Sequence, residues 1–151
     1  MIAGFAAMAT LPLLSHLIVT PRERLIRTCR ELAVMVEAGD VAGIGGHLAD
    51  DFEASGLDRP ELLDRVENTL KRYVVENVGL HAFEVIFPRK AEGVAEFNAV
   101  CRIRSAEMPI DRLLSRWRLT FRGRGRPWQV TKIEVVPTPL SPIRNVRDWL
   151  P

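Results

Sequence analysis

Residues 37–56 read EAGDVAGIGGHLADDFEASG, and the division of the whole chain follows from how this stretch is read. Ala38-Gly39-Asp40 ends one helix and opens another: glycine takes the left-handed conformation that closes a helix, and aspartate caps the next. That second helix, through about Leu48, is short and weak because Gly43, Gly45 and Gly46 lower its propensity. A short strand around Phe52 to Ala54 is expected after it. Asp50, Asp51 and Glu53 put three carboxylates within four positions, which raises the question of a catalytic or metal site. An aspartate pair between a helix and a strand is a common turn-forming arrangement. His47 precedes Asp50 by three positions and Glu53 by six, which is not a recognised ligand spacing, so no metal is expected. The segment reads as a fold boundary.

Upstream, Thr20-Pro21-Arg22-Glu23 carries a capping box with proline in the first turn. Leu25, Ile26, Cys29, Leu32, Ala33 and Val36 then recur at helical spacing. Residues 1–20, MIAGFAAMATLPLLSHLIVT, hold no Asp, Glu, Lys or Arg and approach the ~20 residues a membrane-crossing helix needs. With Arg22, Arg24, Arg27 and Arg30 just after it, such an anchor keeps the domain cytoplasmic. An apolar arm packed on a cytoplasmic domain is the other reading.

Downstream, Asp58-Arg59-Pro60-Glu61 repeats the capping signature, and Leu62, Leu63, Val66, Leu70 and Tyr73 line one face of a third helix. The period then changes from helical to alternating. Strands are predicted over 78–87, 94–105, 112–122 and 128–136, with hairpin connections at 88–93 and 123–127. Phe97, Ala99, Cys101 and Ile103 alternate with Asn98, Arg102 and Arg104, and Ser115, Trp117, Leu119 and Phe121 with Arg116, Arg118 and Arg122. The apolar set faces the helices and the arginines face outward. Three helices on an antiparallel meander make an α+β domain over 21–136. The proline-rich tail 137–151, PTPLSPIRNVRDWLP, is expected to lie extended on the surface, with Trp149 as its anchor.

The chain has 151 residues, 47% of them hydrophobic, which suffices for one core. Its net charge of +2 does not argue for nucleic acid, but the charge is unevenly placed. Between Glu31 and Glu67 ten acids face two arginines, whereas between Arg102 and Arg126 eight arginines face Glu107 and Asp111. Cys29 and Cys101 lack metal-ligand or redox-motif spacing and fall on apolar faces, so buried reduced thiols are expected, or a single disulfide if the domain is exported.

The segment 37–56, together with SRWRLTFRGRGRPWQVTKIEVV at 115–136, resembles the nuclear transport factor 2-like superfamily, which includes ketosteroid isomerase and the polyketide cyclases. The resemblance covers about 20–136. It implies a cone in which helices and the inner sheet face enclose a pocket, expected to be lined by Leu32, Phe83, Phe97, Cys101, Trp117 and Phe121. Steroid isomerases use a pocket aspartate as base, with a tyrosine and a protonated acid as oxyanion donors. Matching by position puts Leu32 at the tyrosine, Gly56 at the base and Trp117 near the second acid. None of the three can do that chemistry, because a general base needs a titratable group.

The remaining candidate bases are His81, in phase with Phe83, Val85 and Phe87, then Glu53 and His47. Ser115 has no sequence-evident histidine and acid partners. The outer arginines 102, 104, 116, 118 and 122 suit a dimer interface through the sheet. Nucleic acid is not expected there, because Trp117 and Phe121 project from the opposite face and supply no stacking platform. The expected function is a non-catalytic, cofactor-free module that binds a small apolar ligand or a protein. The rivals are a pocket enzyme built on His81 and Glu53, and nucleic-acid binding through the arginines.

Overall fold

A computed structural model describes residues 19–107, 109–123 and 127–150. The apolar segment 1–20, apart from Val19 and Thr20, lies outside the described residues; among these no helix is long and apolar enough to cross a membrane.

The caps read from the sequence set the helices. In α1 (Pro21–Ala38) the Thr20 hydroxyl accepts from the Glu23 N–H, and the Glu23 carboxylate accepts from the Thr20 N–H at 2.8 Å. Gly39 closes the helix at φ 68°. Asp40 caps α2 (Val41–His47), and Asp58 with Glu61 forms the second capping box, on α3 (Arg59–Arg72).

Six strands form one sheet: β1 (Leu48–Ala54), β2 (Leu57–Asp58), β3 (Val74–Arg89), β4 (Glu92–Arg104), β5 (Ile110–Arg122) and β6 (Gln129–Val135). Their order is β2-β1-β6-β5-β4-β3. The sheet is mixed rather than purely antiparallel, because β1 runs parallel to β6. β1 begins at Leu48, earlier than expected, since the second helix stops at His47 once its three glycines are passed. Ser55 and Gly56 are the positive-φ pair of a two-residue hairpin turn between β1 and β2.

Three register shifts against β4 bend β3, the last of them between Ile86 and Arg89. Its register with β4 shifts between Glu76 and Gly79 and again between His81 and Glu84, and Asn77 and Ala82 there have φ of 52° and 54°. Such bulges curl a strand and reset which side chains face inward. The Val78 N–H at the first bulge is taken up by the Glu37 carboxylate at 2.5 Å, so the end of α1 is tied to the bend. The concave face receives α1, whose Leu25 is wholly buried against Gly93 of β4: a Cβ on that glycine would lie 2.5 Å from Leu25 Cδ1.

The tail departs from the expectation of an extended surface segment. Its prolines permit a packed path, and Ile143, Val146 and Leu150 are buried. Asn145 and Asp148 form a third capping box on a short helix, α4 (Val146–Trp149). Two arginines staple it to the body: Arg65 Nη1 donates to the Leu150 carbonyl at 3.1 Å, and Arg147 Nε to the Ser55 carbonyl at 3.0 Å. Leu150→Ala is therefore expected to cost about 2–4 kcal/mol in urea unfolding, as for a core leucine. A change within about 0.5 kcal/mol, the range for a surface residue, would show the tail to be loose.

Candidate apolar binding site

Between the helices and the concave sheet face is a cavity of about 170 Å³. Its floor exists because two small residues sit opposite each other, Ala99 on β4 and Ser115 on β5. On the neighbouring inward rung the pair is large, Phe97 beside Trp117. Cys29, Leu32 and Val36 of α1 form the roof, Leu62 and Val66 of α3 one wall, and Leu80 of β3 another part of the lining. Val146, Trp149 and Leu150 of the tail also line it, and the Trp149 ring stands edge-on to Trp117 with centroids 6.2 Å apart.

Of the lining residues named from the sequence, Leu32, Phe97, Cys101 and Trp117 are at the cavity. Phe83 and Phe121 are not. The Phe83 ring packs tilted against Phe97 with centroids 5.2 Å apart, and Phe121 is wholly buried elsewhere in the core. Cys29, Leu80 and the tail residues line the cavity in addition to the residues expected from the sequence. The Asn145–Asp148 cap followed by apolar positions 146, 149 and 150 was the available signal for the tail.

The candidate bases do not converge. The bulge at Ala82 breaks the alternation, so Leu80, Phe83 and Val85 are partly buried while His81 is exposed and paired across the ladder with Asn98. Glu53 is exposed and accepts from the Gly56 N–H in the hairpin turn at 3.2 Å. His47 lies in a separate polar cleft with Arg24, Arg27, Glu31 and Lys90. Gly56 sits in the exposed turn, outside the cavity, so the positional match to a catalytic base does not correspond to a pocket position in this chain. Among the described residues no three His, Cys, Asp or Glu side chains group as a metal site.

The acids of the 37–56 stretch are held in place by other elements. Asp50 pairs with Arg59 at 3.2 Å, and both oxygens of Asp51 are gripped by Arg122, one at 3.0 Å. The hydrogen bond from Arg122 holds the Asp51 carboxyl below its usual range. The outer arginines are likewise largely matched. Arg116 Nε reaches Glu96 at 2.6 Å and its Nη2 reaches Glu84 at 3.2 Å; Arg118 also pairs with Glu96, and Arg104 with Glu76. Burial alone would raise the Glu96 carboxyl, but the hydrogen bonds from Arg116 and Arg118 outweigh it and lower it. Arg102 is exposed.

Cys29 and Cys101 are free thiols and the cavity's only titratable groups among the described residues. Burial raises both, Cys29 to about 12, so both are neutral at physiological pH.

No family model and no curated protein matches the sequence. Solved structures do match. An NTF2-like protein from Cytophaga hutchinsonii superposes at TM-score 0.67 with 14% identity, covering 80% of this chain and 100% of that one. A provisionally named scytalone dehydratase from Novosphingobium aromaticivorans gives 0.67 with 11% identity over 82% and 89%. A provisionally named calcium/calmodulin-dependent kinase II association domain from Exiguobacterium sibiricum gives 0.65 with 12% identity over 80% and 95%.

Thiolate is the reactive form of cysteine, so native Cys29 is expected to react with iodoacetamide at pH 8 at least about a hundredfold more slowly than in denaturant. Equal rates would contradict its burial. Raised in the fold, this thiol should also lower stability only above its unfolded value near 9, progressively toward 12. The stability–pH profile of Cys29→Ala should lack that component. At these similarities the comparisons establish architecture: the chain has the nuclear transport factor 2-like fold.

Proposed function

We propose that the chain is a non-catalytic domain that binds a small apolar molecule in the cavity between α1, α3, the tail and the sheet. The observation that carries this is the lining itself: aliphatic and aromatic side chains, one serine hydroxyl and two neutral thiols. Ligand pockets are mostly apolar with a few placed polar groups. An apolar space of roughly 150 Å³ accommodates benzene or xenon, so this one suits a single ring or a short branched chain. General acid–base chemistry needs a titratable group beside the substrate, and His81, Glu53 and His47 are all outside the lining. The enzyme reading is correspondingly weaker, even beside a relative named for a dehydratase.

Ethylbenzene at ten times its dissociation constant should add about 1.4 kcal/mol and raise the melting temperature by roughly 3–6 °C. Ala99→Phe, which fills the floor, should remove the response. No shift in the native chain, or the same shift in both, would end this reading.

A second reading concerns the outer face. Ile86 is 61% exposed there, on the same rungs as Val94, while Val100 and Leu114 pair farther along. Apolar residues among matched charges suit a second copy of the chain better than a polyanion, and one structural relative is named an association domain. Sedimentation should give a two-chain species that Ile86→Asp returns to one chain. A native chain that sediments as a single copy at every concentration would overturn it.

A further inference from the structure

Ser115 is a cavity group that apolar packing does not account for. It is 5% exposed, lies on the inward row of β5 and faces the cavity beside Ala99. Trp117, two residues along the same face, donates its indole N–H to Ser115 Oγ at 2.7 Å. A serine hydroxyl offers one proton and two lone pairs. The indole occupies a lone pair, and this is the only hydrogen bond the Ser115 side chain makes among the described residues. Its proton therefore lacks an acceptor, because the other polar side-chain atoms of the lining are two weakly accepting thiols and indole N–H groups, which only donate.

A buried donor without a partner is costly, and a ligand acceptor would relieve that cost. The indole also strengthens the donor, because a hydroxyl that accepts a hydrogen bond is polarised toward giving its own. Trp117 cannot serve the ligand itself, since its only donor is already used. The pair acts as one directional element, running from indole to hydroxyl to cavity. A charged ligand is disfavoured, as no opposite charge lines the site to offset its lost hydration.

We propose that Ser115, oriented by Trp117, is the specificity-determining donor of the cavity and selects small apolar molecules that carry one neutral acceptor, such as a ketone or aldehyde carbonyl. This rests on the cavity being a ligand site, and the test separates the two claims. Acetophenone and α-methylstyrene have nearly the same shape and differ in a carbonyl against a methylene. In Ser115→Ala, acetophenone should bind about fivefold to tenfold more weakly than to the native chain, while α-methylstyrene should bind within twofold of the native value. The carbonyl stretch of ¹³C-labelled acetophenone in the native protein should lie below its value in hydrocarbon solvent and return toward it in Ser115→Ala. If both molecules bind but the native stretch is unshifted, or if Ser115→Ala weakens both equally, the Ser115 assignment fails and the cavity reading stands. If neither binds, both fail. The native stretch decides the matter even if Ser115→Ala does not fold.

Discussion

The contact between Leu25 and Gly93 fixes the distance between the helix layer and the sheet. Leu25 is wholly buried, and the missing side chain at Gly93 lets it rest on the β4 backbone, with Phe87 close by. Any side chain at position 93 would meet Leu25, which has nowhere to swing. The first half of α1 thus seats on the sheet. From Cys29 to Val36 the same helix roofs the cavity, over the small pair Ala99 and Ser115. At its far end Glu37 holds the Val78 N–H at the first β3 bulge. One helix, fixed at both ends, spans a gap in the packing.

That geometry separates the chemistry of the molecule into two zones. Charge is outside, where Asp50, Asp51, Glu84 and Glu96 are each matched by arginine. The exposed ones among these pairs contribute at most about 1 kcal/mol each, and the larger effect of the set is to leave few unmatched cations among the described residues of the outer sheet. The interior is apolar enough to keep two thiols protonated. The cavity presents apolar walls and one serine hydroxyl, and no charged side chain lines it.

Much of the architecture was legible in the sequence because it is written in local chemistry. The capping boxes at Thr20 and Asp58 announce α1 and α3, and alternation along 94–105 and 112–122 assigns the inner face of β4 and β5. The candidate site was half legible for the same reason: Leu32, Phe97, Cys101 and Trp117 sit on regular elements. What was hidden depends on breaks in regularity. Ala82 adopts a positive φ that its side chain does not favour, so nothing local reveals the bulge that turns His81 outward. The tail was obscured by Pro137, Pro139 and Pro142, which suggest an extended strand, although Asn145 and Asp148 carry a helix cap. Its burial comes from Arg65 and from Trp117, residues distant in sequence.

An apolar space lies between α1 and the Ala99–Ser115 floor. Diffraction from a crystal pressurised with xenon tests for it without choosing a ligand, since xenon settles in apolar cavities. A xenon atom is expected in van der Waals contact with Ala99, Val36 and the Trp117–Trp149 pair. Absence of xenon there, with side chains of Leu32, Trp117 and Trp149 closing the space, would contradict it.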